Sequence, residues 1–110
     1  MTIYIARAYE NVGPQSMWRL AESDPIELVG DFTVEGDTPE AALEAAWTVG
    51  NKMGADLDGR EWPRTRRSQC VGDVVNLSPV DEADNVTIWV CDSFGWKPWD
   101  AYFAARPDLA

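Results

Sequence analysis

The sequence predicts an α+β fold: one small domain in which a mainly antiparallel sheet of four to five strands packs against one main helix. Three observations predict it. Several short segments alternate apolar and polar residues or are rich in β-branched residues, one segment carries a full set of helix signals, and turn residues separate the segments. The 110 residues fit a single domain, 1–110, with enough chain for one core.

Strands are predicted in the first third of the chain. Residues 2–8, TIYIARA, alternate like a half-buried strand, and residues 11–14, NVGP, form a turn. A short second strand is predicted at 16–21, SMWRLA. Residues 26–35, IELVGDFTVE, form a longer strand, in which Gly30 indicates a β-bulge or a close backbone contact.

The main helix is predicted at about 38–49. Thr38 suits the N-cap, Pro39 the first helical position and Gly50 the C′ position after the last turn. One stripe of this helix is apolar and is expected to face the core; it consists of Ala42, Leu43, Ala46 and Trp47.

After the helix, residues 50–67 read as a long connection with little regular structure, rich in glycine and charge. Two strands, 71–77 and 86–92, then pair as a hairpin with Leu77 near Val86. Both faces of the second strand are partly apolar, which indicates a position inside the sheet rather than at its edge.

The C-terminal segment is rich in aromatic residues. Residues 93–99, SFGWKPW, read as a turn, and residues 99–106, WDAYFAAR, as a short helix or a last strand. Trp99 and Phe103 lie four residues apart, a spacing that favours the helix.

The chain is strongly acidic, with a formal net charge of −10 and a pI of about 4.2. Residues 21–50 and 68–96 contain no basic residue, whereas residues 51–67 carry more basic than acidic residues. Direct nucleic-acid binding is not expected, because phosphate binding requires concentrated positive charge. The expected partner-binding surface is acidic and consists of Glu22, Asp24, Glu27, Asp31, Glu35, Asp37, Glu40, Glu44, Asp81, Glu82 and Asp84.

The segment RSQCVGDVVNL (67–77) allows two interpretations. In the functional one, Arg66, Arg67 and Ser68 bind an anion and Asp73 acts as an acid or base. In the structural one, which we favour, Ser68 caps a turn, Gly72 permits a bulge and Asp73 bonds local backbone at the start of a strand.

This segment, followed by a second strand and DSFGWKPW (92–99), resembles the YodL-like and KfrB-like domains of phage and plasmid proteins. These domains carry a segment close to R-S-x-S-V-G-D-V-V and a later turn of Gly and an aromatic residue. The matching residues here are Arg67, Ser68, Val71, Gly72, Asp73, Val74, Val75, Gly95 and Trp96. Cys70 stands where the pattern has serine. The resemblance covers residues 67–99; it implies a mobile-element origin and no particular activity.

The chain has two cysteines, Cys70 and Cys91, and no histidine. Catalysis through a histidine is therefore excluded, and both thiols are expected to be reduced and buried. The spacing of Asp81, Glu82 and Asp84 does not fit an EF-hand loop, so neither a metal nor another cofactor is expected.

Three tryptophans in loop-like contexts, Trp62, Trp96 and Trp99, are candidate contacts for a protein partner, since tryptophan is enriched at binding hot spots. Trp47 and Trp89 are expected in the core. No apolar run approaches the roughly 20 residues of a membrane span. The N-terminus lacks the features of a signal peptide, so the cytoplasm of a host cell is the expected location.

Three functions remain open from the sequence. The first is a non-enzymatic acidic interaction protein of phage or plasmid type, which inhibits a basic nucleic-acid-binding or defence protein of the host by mimicking nucleic acid. The second is a regulatory or structural module that forms homo-oligomers through the edge of its sheet. The third is a small enzyme that uses Cys70, Asp73 or Asp92.

Overall fold

A computed structural model describes all 110 residues and confirms the predicted α+β class. Five antiparallel strands form one sheet in the order β2-β1-β3-β4-β5. The strands are β1 (Thr2–Asn11), β2 (Ile26–Gly36), β3 (Val74–Pro79), β4 (Thr87–Asp92) and β5 (Gly95–Pro98). The helices are α1 (Pro39–Gly50) and α2 (Trp99–Ala104), and a 3₁₀ turn, Val80–Glu82, follows β3.

Each face of the sheet buries a separate apolar cluster. The larger cluster lies under α1, where Leu43 and Ala46 pack on strand residues such as Ala6, Phe32 and Val75. The smaller lies on the opposite face, beneath α2 and the chain terminus, and consists of Leu20, Val74, Val90, Tyr102, Phe103 and Leu109. Residues 99–106 were expected to form either a short helix or a last strand, and the structure shows the helix, over Trp99–Ala104.

The N-terminal half of α1 is as predicted. The Thr38 side chain accepts a hydrogen bond from the backbone N–H of Ala41, and Pro39 occupies the first turn. The helix ends one residue later than predicted. Gly50 is still helical, Asn51 is the C-cap and Lys52 adopts the left-handed conformation with φ 62°. Gly50 is needed for another reason, because a Cβ there would lie 2.5 Å from the Gln69 side chain.

The strand predicted at 16–21 is wrong. Ser16 and Trp18 donate backbone hydrogen bonds to Gly13 and Gln15, three residues earlier, so this segment turns instead of extending. The bulge predicted near Gly30 is confirmed, since the β1–β2 register shifts between Ala8 and Tyr9 and leaves Val29 without a partner.

The predicted β3–β4 hairpin forms, but its register is wrong by one residue. Leu77 pairs with Thr87 rather than with Val86. The 3₁₀ turn, which the sequence did not predict, shapes the connection, and the Thr87 hydroxyl donates to the Leu77 carbonyl. β4 lies between β3 and β5, as its apolar faces indicated.

Residues 51–67 contain no helix or strand, in line with the irregular connection predicted at 50–67, yet this segment is firmly attached to the edge of the sheet. One Asp56 oxygen accepts from the backbone N–H of Thr33, in β2, and the Leu57 N–H donates to the Thr33 carbonyl. The middle of the long edge strand is therefore capped by this segment, which protects it from pairing with another strand.

Candidate functional site

The partly exposed Arg67 side chain forms an ion pair with the buried Asp73 at the start of β3. Asp73, 1% exposed, accepts at Oδ1 from Nη2 of Arg67 and from the Asn11 N–H, each at 2.9 Å. Its Oδ2 accepts from Nη1 of Arg67 and from the Cys70 N–H, also at 2.9 Å. The hydrogen bond to Asp73 is the main cause that raises the pKa of Arg67. Both partners are satisfied within the chain.

Arg66 is also paired internally. Its Nη1 lies 3.2 Å from a Glu10 oxygen and 3.0 Å from a Glu27 oxygen, and the hydrogen bond to Glu27 is the main cause that raises the pKa of Arg66. Ser68 is half-buried and offers its carbonyl to Arg67. The pairing of both guanidinium groups with the chain's own carboxylates disfavours the functional interpretation, in which Arg66, Arg67 and Ser68 bind an anion.

The backbone conformation at position 72 explains why the motif has a glycine there. Its φ is 90°, and a Cβ at this position would lie 2.6 Å from the carbonyl oxygen of Arg19. The glycine thus lets the backbone of Arg19, in the loop 12–25, pass close to the start of β3, which agrees with the structural interpretation of the motif.

Both cysteines are free thiols. Burial, reinforced by the charge of Asp73, raises the pKa of Cys70 to about 11. Burial likewise raises the pKa of Cys91 to about 12. Both side chains are therefore protonated at neutral pH, whereas a nucleophilic cysteine needs a lowered pKa.

The eleven candidate acidic residues fall into two groups. Asp24, Glu27 and Asp31 hold the fold together: Asp24 accepts from the Ala21 N–H, and the other two pair with Arg66 and Arg7. The remaining ones are exposed and form no ion pair; they are Glu22, Glu35, Asp37, Glu40, Glu44, Asp81, Glu82 and Asp84.

Most of the exposed group lies at one end of the sheet. Thr2, at the start of β1, pairs with Gly36 at the end of β2, and Tyr4 pairs with Pro79 at the end of β3. The topology therefore brings the β2–α1 junction and the β3–β4 connection together. We call this region the acid end; its two segments carry Glu35, Asp37, Glu40, Asp81, Glu82 and Asp84 and contain no lysine or arginine. Arg7, which lines a pocket with Ala83 and Val86 beside the acid end, is paired with Asp31.

The expectation that Trp62 contacts a partner is wrong. Trp62 is 4% exposed, its ring stacks on Phe32 at a centroid distance of 5.6 Å, and its Nε1 donates to the Arg67 carbonyl at 2.8 Å. A loop residue can thus belong to the core, here because 50–67 folds back over β2. Trp99 is half-buried against Phe103.

Trp96 lies in a groove between α1 and the β4–β5 turn. The rings of Trp47 and Trp96 meet edge to face, with centroids 6.1 Å apart and planes at 84°. Glu44 and Asp92 also line this groove, whose volume is about 250 Å³. The sequence prediction that Trp47 is a core residue is only half correct, since one side of it remains accessible; Trp89 is buried as predicted.

Two exposed aromatic residues were missed in the sequence. Phe94 is 94% exposed at the β4–β5 turn, and Trp18 is 80% exposed in the loop after β1. The turn signal in SFG could have identified Phe94, because a residue between Ser93 and Gly95 has nothing to pack on. Trp18 was hidden by the incorrect strand at 16–21.

No helix of this structure has the length and apolarity to cross a bilayer. No three or more Cys, Asp or Glu side chains are grouped so that they could hold a metal ion. Comparison with known proteins finds no match: no family model, no curated protein and no solved structure is significantly similar to this chain.

Proposed function

We propose that this protein binds a positively charged, nucleic-acid-binding protein through the acid end and so takes the place of nucleic acid. It acts without catalysis, in the cytoplasm of a host cell, as an inhibitor encoded by a phage or plasmid. The observation that carries the proposal is the concentration of exposed, unpaired carboxylates at one end of the sheet.

The charge density of the acid end supports mimicry of a phosphate backbone. β2 and β3 are both neighbours of β1, so their ends lie two inter-strand spacings, or roughly 10 Å, apart. Duplex DNA carries about six phosphate charges over a 10 Å length. The acid end carries six carboxylates, a similar number of charges, distributed over the two strand ends, the start of α1 and the β3–β4 connection. The resemblance of residues 67–77 to phage and plasmid proteins supports the proposed origin.

The two alternative functions have less support. Self-association through the sheet edge would need a free strand, but β2 is capped at Thr33, and β5 is four residues long and ends in Pro98. Catalysis by Cys70 or Asp73 would need a thiolate or a free carboxylate. The raised pKa of Cys70 and the four hydrogen bonds to Asp73 oppose both.

The test compares two triple variants with the same net charge. Glu35→Gln, Asp37→Asn and Asp81→Asn neutralise the acid end; Glu22→Gln, Glu61→Gln and Asp108→Asn neutralise exposed acids elsewhere. Each protein is immobilised and used to capture proteins from a bacterial lysate at low and high salt, with duplex DNA as competitor. Screening over about 8 Å at physiological ionic strength makes such binding salt-sensitive.

The proposal predicts that wild type and the second variant retain a nucleic-acid-binding protein that high salt or DNA releases, and that the acid-end variant loses it. Equal capture by both variants would show that net charge alone matters. Capture that DNA does not compete would rule out mimicry.

A further inference from the structure

The groove beside Trp47 and Trp96 has features of a site for one cationic side chain. Its volume of about 250 Å³ lies below the roughly 300–1,000 Å³ of typical small-molecule sites, so it suits a single side chain. No lysine or arginine lines it.

The two tryptophans form adjoining walls. Their planes meet at 84°, so that the edge of one ring abuts the face of the other, and both side chains are only partly buried. Tryptophan provides the best aromatic face for a cation, and the interaction strengthens where water is partly excluded.

Two carboxylates lie at the same place, of which Glu44 is unpaired and Asp92 is paired with Arg106. Glu44 is exposed and forms no ion pair, and it lies one helical turn before Trp47. Asp92 uses Oδ1 to accept from Arg106 and from the Ser93 N–H, each at 2.8 Å, while its Oδ2 accepts no hydrogen bond from the chain. The groove therefore offers both an aromatic surface and acceptors to a cation.

We propose that this groove binds an arginine side chain of the basic partner, an inference that rests on the proposed function and names the chemistry of one contact. Arginine fits better than lysine because its planar guanidinium stacks on tryptophan and still donates several hydrogen bonds to carboxylates.

The position of the groove also predicts the form of the partner segment. Glu40, Glu44 and Trp47 follow one face of α1, which leads from the acid end to the groove. The rise between Glu40 and Glu44 is about 6 Å. Residues two apart in an extended chain are separated by about 6.5 Å. An extended segment with arginine at alternate positions would therefore match Glu40, Glu44 and the groove.

The test uses a blocked tripeptide, Gly-Arg-Gly, and the same peptide with uncharged citrulline in place of arginine. Titration is followed by the indole N–H signals in ¹H–¹⁵N spectra of the full chain. The arginine peptide should shift the Trp47 and Trp96 signals, whereas those of buried Trp62 and Trp89 stay in place. The citrulline peptide should shift none.

Matched variants identify the contacts. Glu44→Gln and Trp96→Leu should each weaken binding of the arginine peptide about two- to fivefold, the range for one exposed charge contact or one cation–π contact. Glu61→Gln, which removes an exposed charge outside both the groove and the acid end, should leave binding unchanged. Trp96 packs partly on the core, so Trp96→Leu can also affect folding. If this variant unfolds, the effect of Glu44→Gln alone tests the site.

Equal binding of the citrulline peptide, or equal effects of Glu61→Gln and Glu44→Gln, would overturn the arginine site. That failure is separate from failure of the proposed function. If lysate capture still depends on the acid end, the acidic interface remains and only the groove contact is lost.

Discussion

Asp73 is the residue on which the polar contacts of the motif converge. It links three parts of the chain, because its donors come from Asn11 at the end of β1, from Arg67 and from Cys70. Removing one member of a buried pair leaves the other charge desolvated without compensation.

We expect Asp73→Asn to lower the free energy of unfolding by about 3 kcal/mol, since its amide N–H₂ would face donors now bound by Oδ2. Urea denaturation measures the change. Asp31→Asn is the control: it breaks the Arg7–Asp31 pair, whose side chains are 51% and 38% exposed, and should have a much smaller effect. Equal losses for the two variants would contradict a structural role for the motif.

At the scale of elements, α1 could be predicted because its signals are local. Features that depend on long-range contacts could not be predicted from the sequence. Thr38 and Pro39 specify the start of the helix within a few residues of sequence. The capping of β2 by residues 56 and 57, by contrast, joins segments more than twenty residues apart. The burial of Trp62 follows from the same folding back, so no local pattern could reveal it.

The features of the candidate site can likewise be divided into those that follow from the sequence and those that depend on the fold. The acidic composition and the exposure of Glu40 and Glu44 follow directly from the sequence. Their relation to Asp81 and Glu82 depends on strand order, and the Trp47–Trp96 pair depends on where the β4–β5 turn meets α1. The pairing of Arg66 with Glu10 and Glu27 also required the sheet register.

The attachment of 50–67 to β2 should depend on pH through Asp56. Burial by itself would raise the pKa of Asp56, but hydrogen bonds from the N–H groups of Thr33, Arg60 and Asp58 and from the Arg60 side chain outweigh it, so the pKa is lowered. The folded state therefore favours the ionised form. This stabilisation is present above the unfolded carboxyl pKa of about 3.9 and is lost as the pH falls through the folded value.

We expect Asp56→Asn to be less stable than wild type at neutral pH and to lose less of its stability on acidification below about pH 4. Melting temperatures of both proteins, measured from neutral to strongly acidic pH, provide the comparison. Parallel curves for the two proteins would show that Asp56 does not carry this part of the acid sensitivity.

At the scale of the whole molecule, the chain is compact. The Cα radius of gyration is 13.1 Å, close to the roughly 13 Å expected for a compact chain of this length. The two edges of the sheet offer little for strand pairing, because one is capped at its centre and the other is short.

We expect the protein to be monomeric at micromolar concentrations, as measured by analytical ultracentrifugation, with a scattering radius near that of one chain. Since like charges repel and the net charge is −10, added salt would reveal any weak association. A discrete dimer at all salt concentrations would instead favour the self-association hypothesis.

The unpaired carboxylates of the acid end make the charge distribution uneven, because the arginines at the other end of the sheet are paired with carboxylates of their own, and this unevenness gives the molecule an electric dipole. Arg66 and Arg67 lie beside the end of β1, and Arg106 lies beside the end of β4, whereas the acid end surrounds the start of β1. In the field of a positively charged surface, a torque would turn the protein acid end first before any contact forms. The dipole would thus select the docking orientation during diffusion and accelerate association, while the rate of dissociation would depend on the contacts made afterwards.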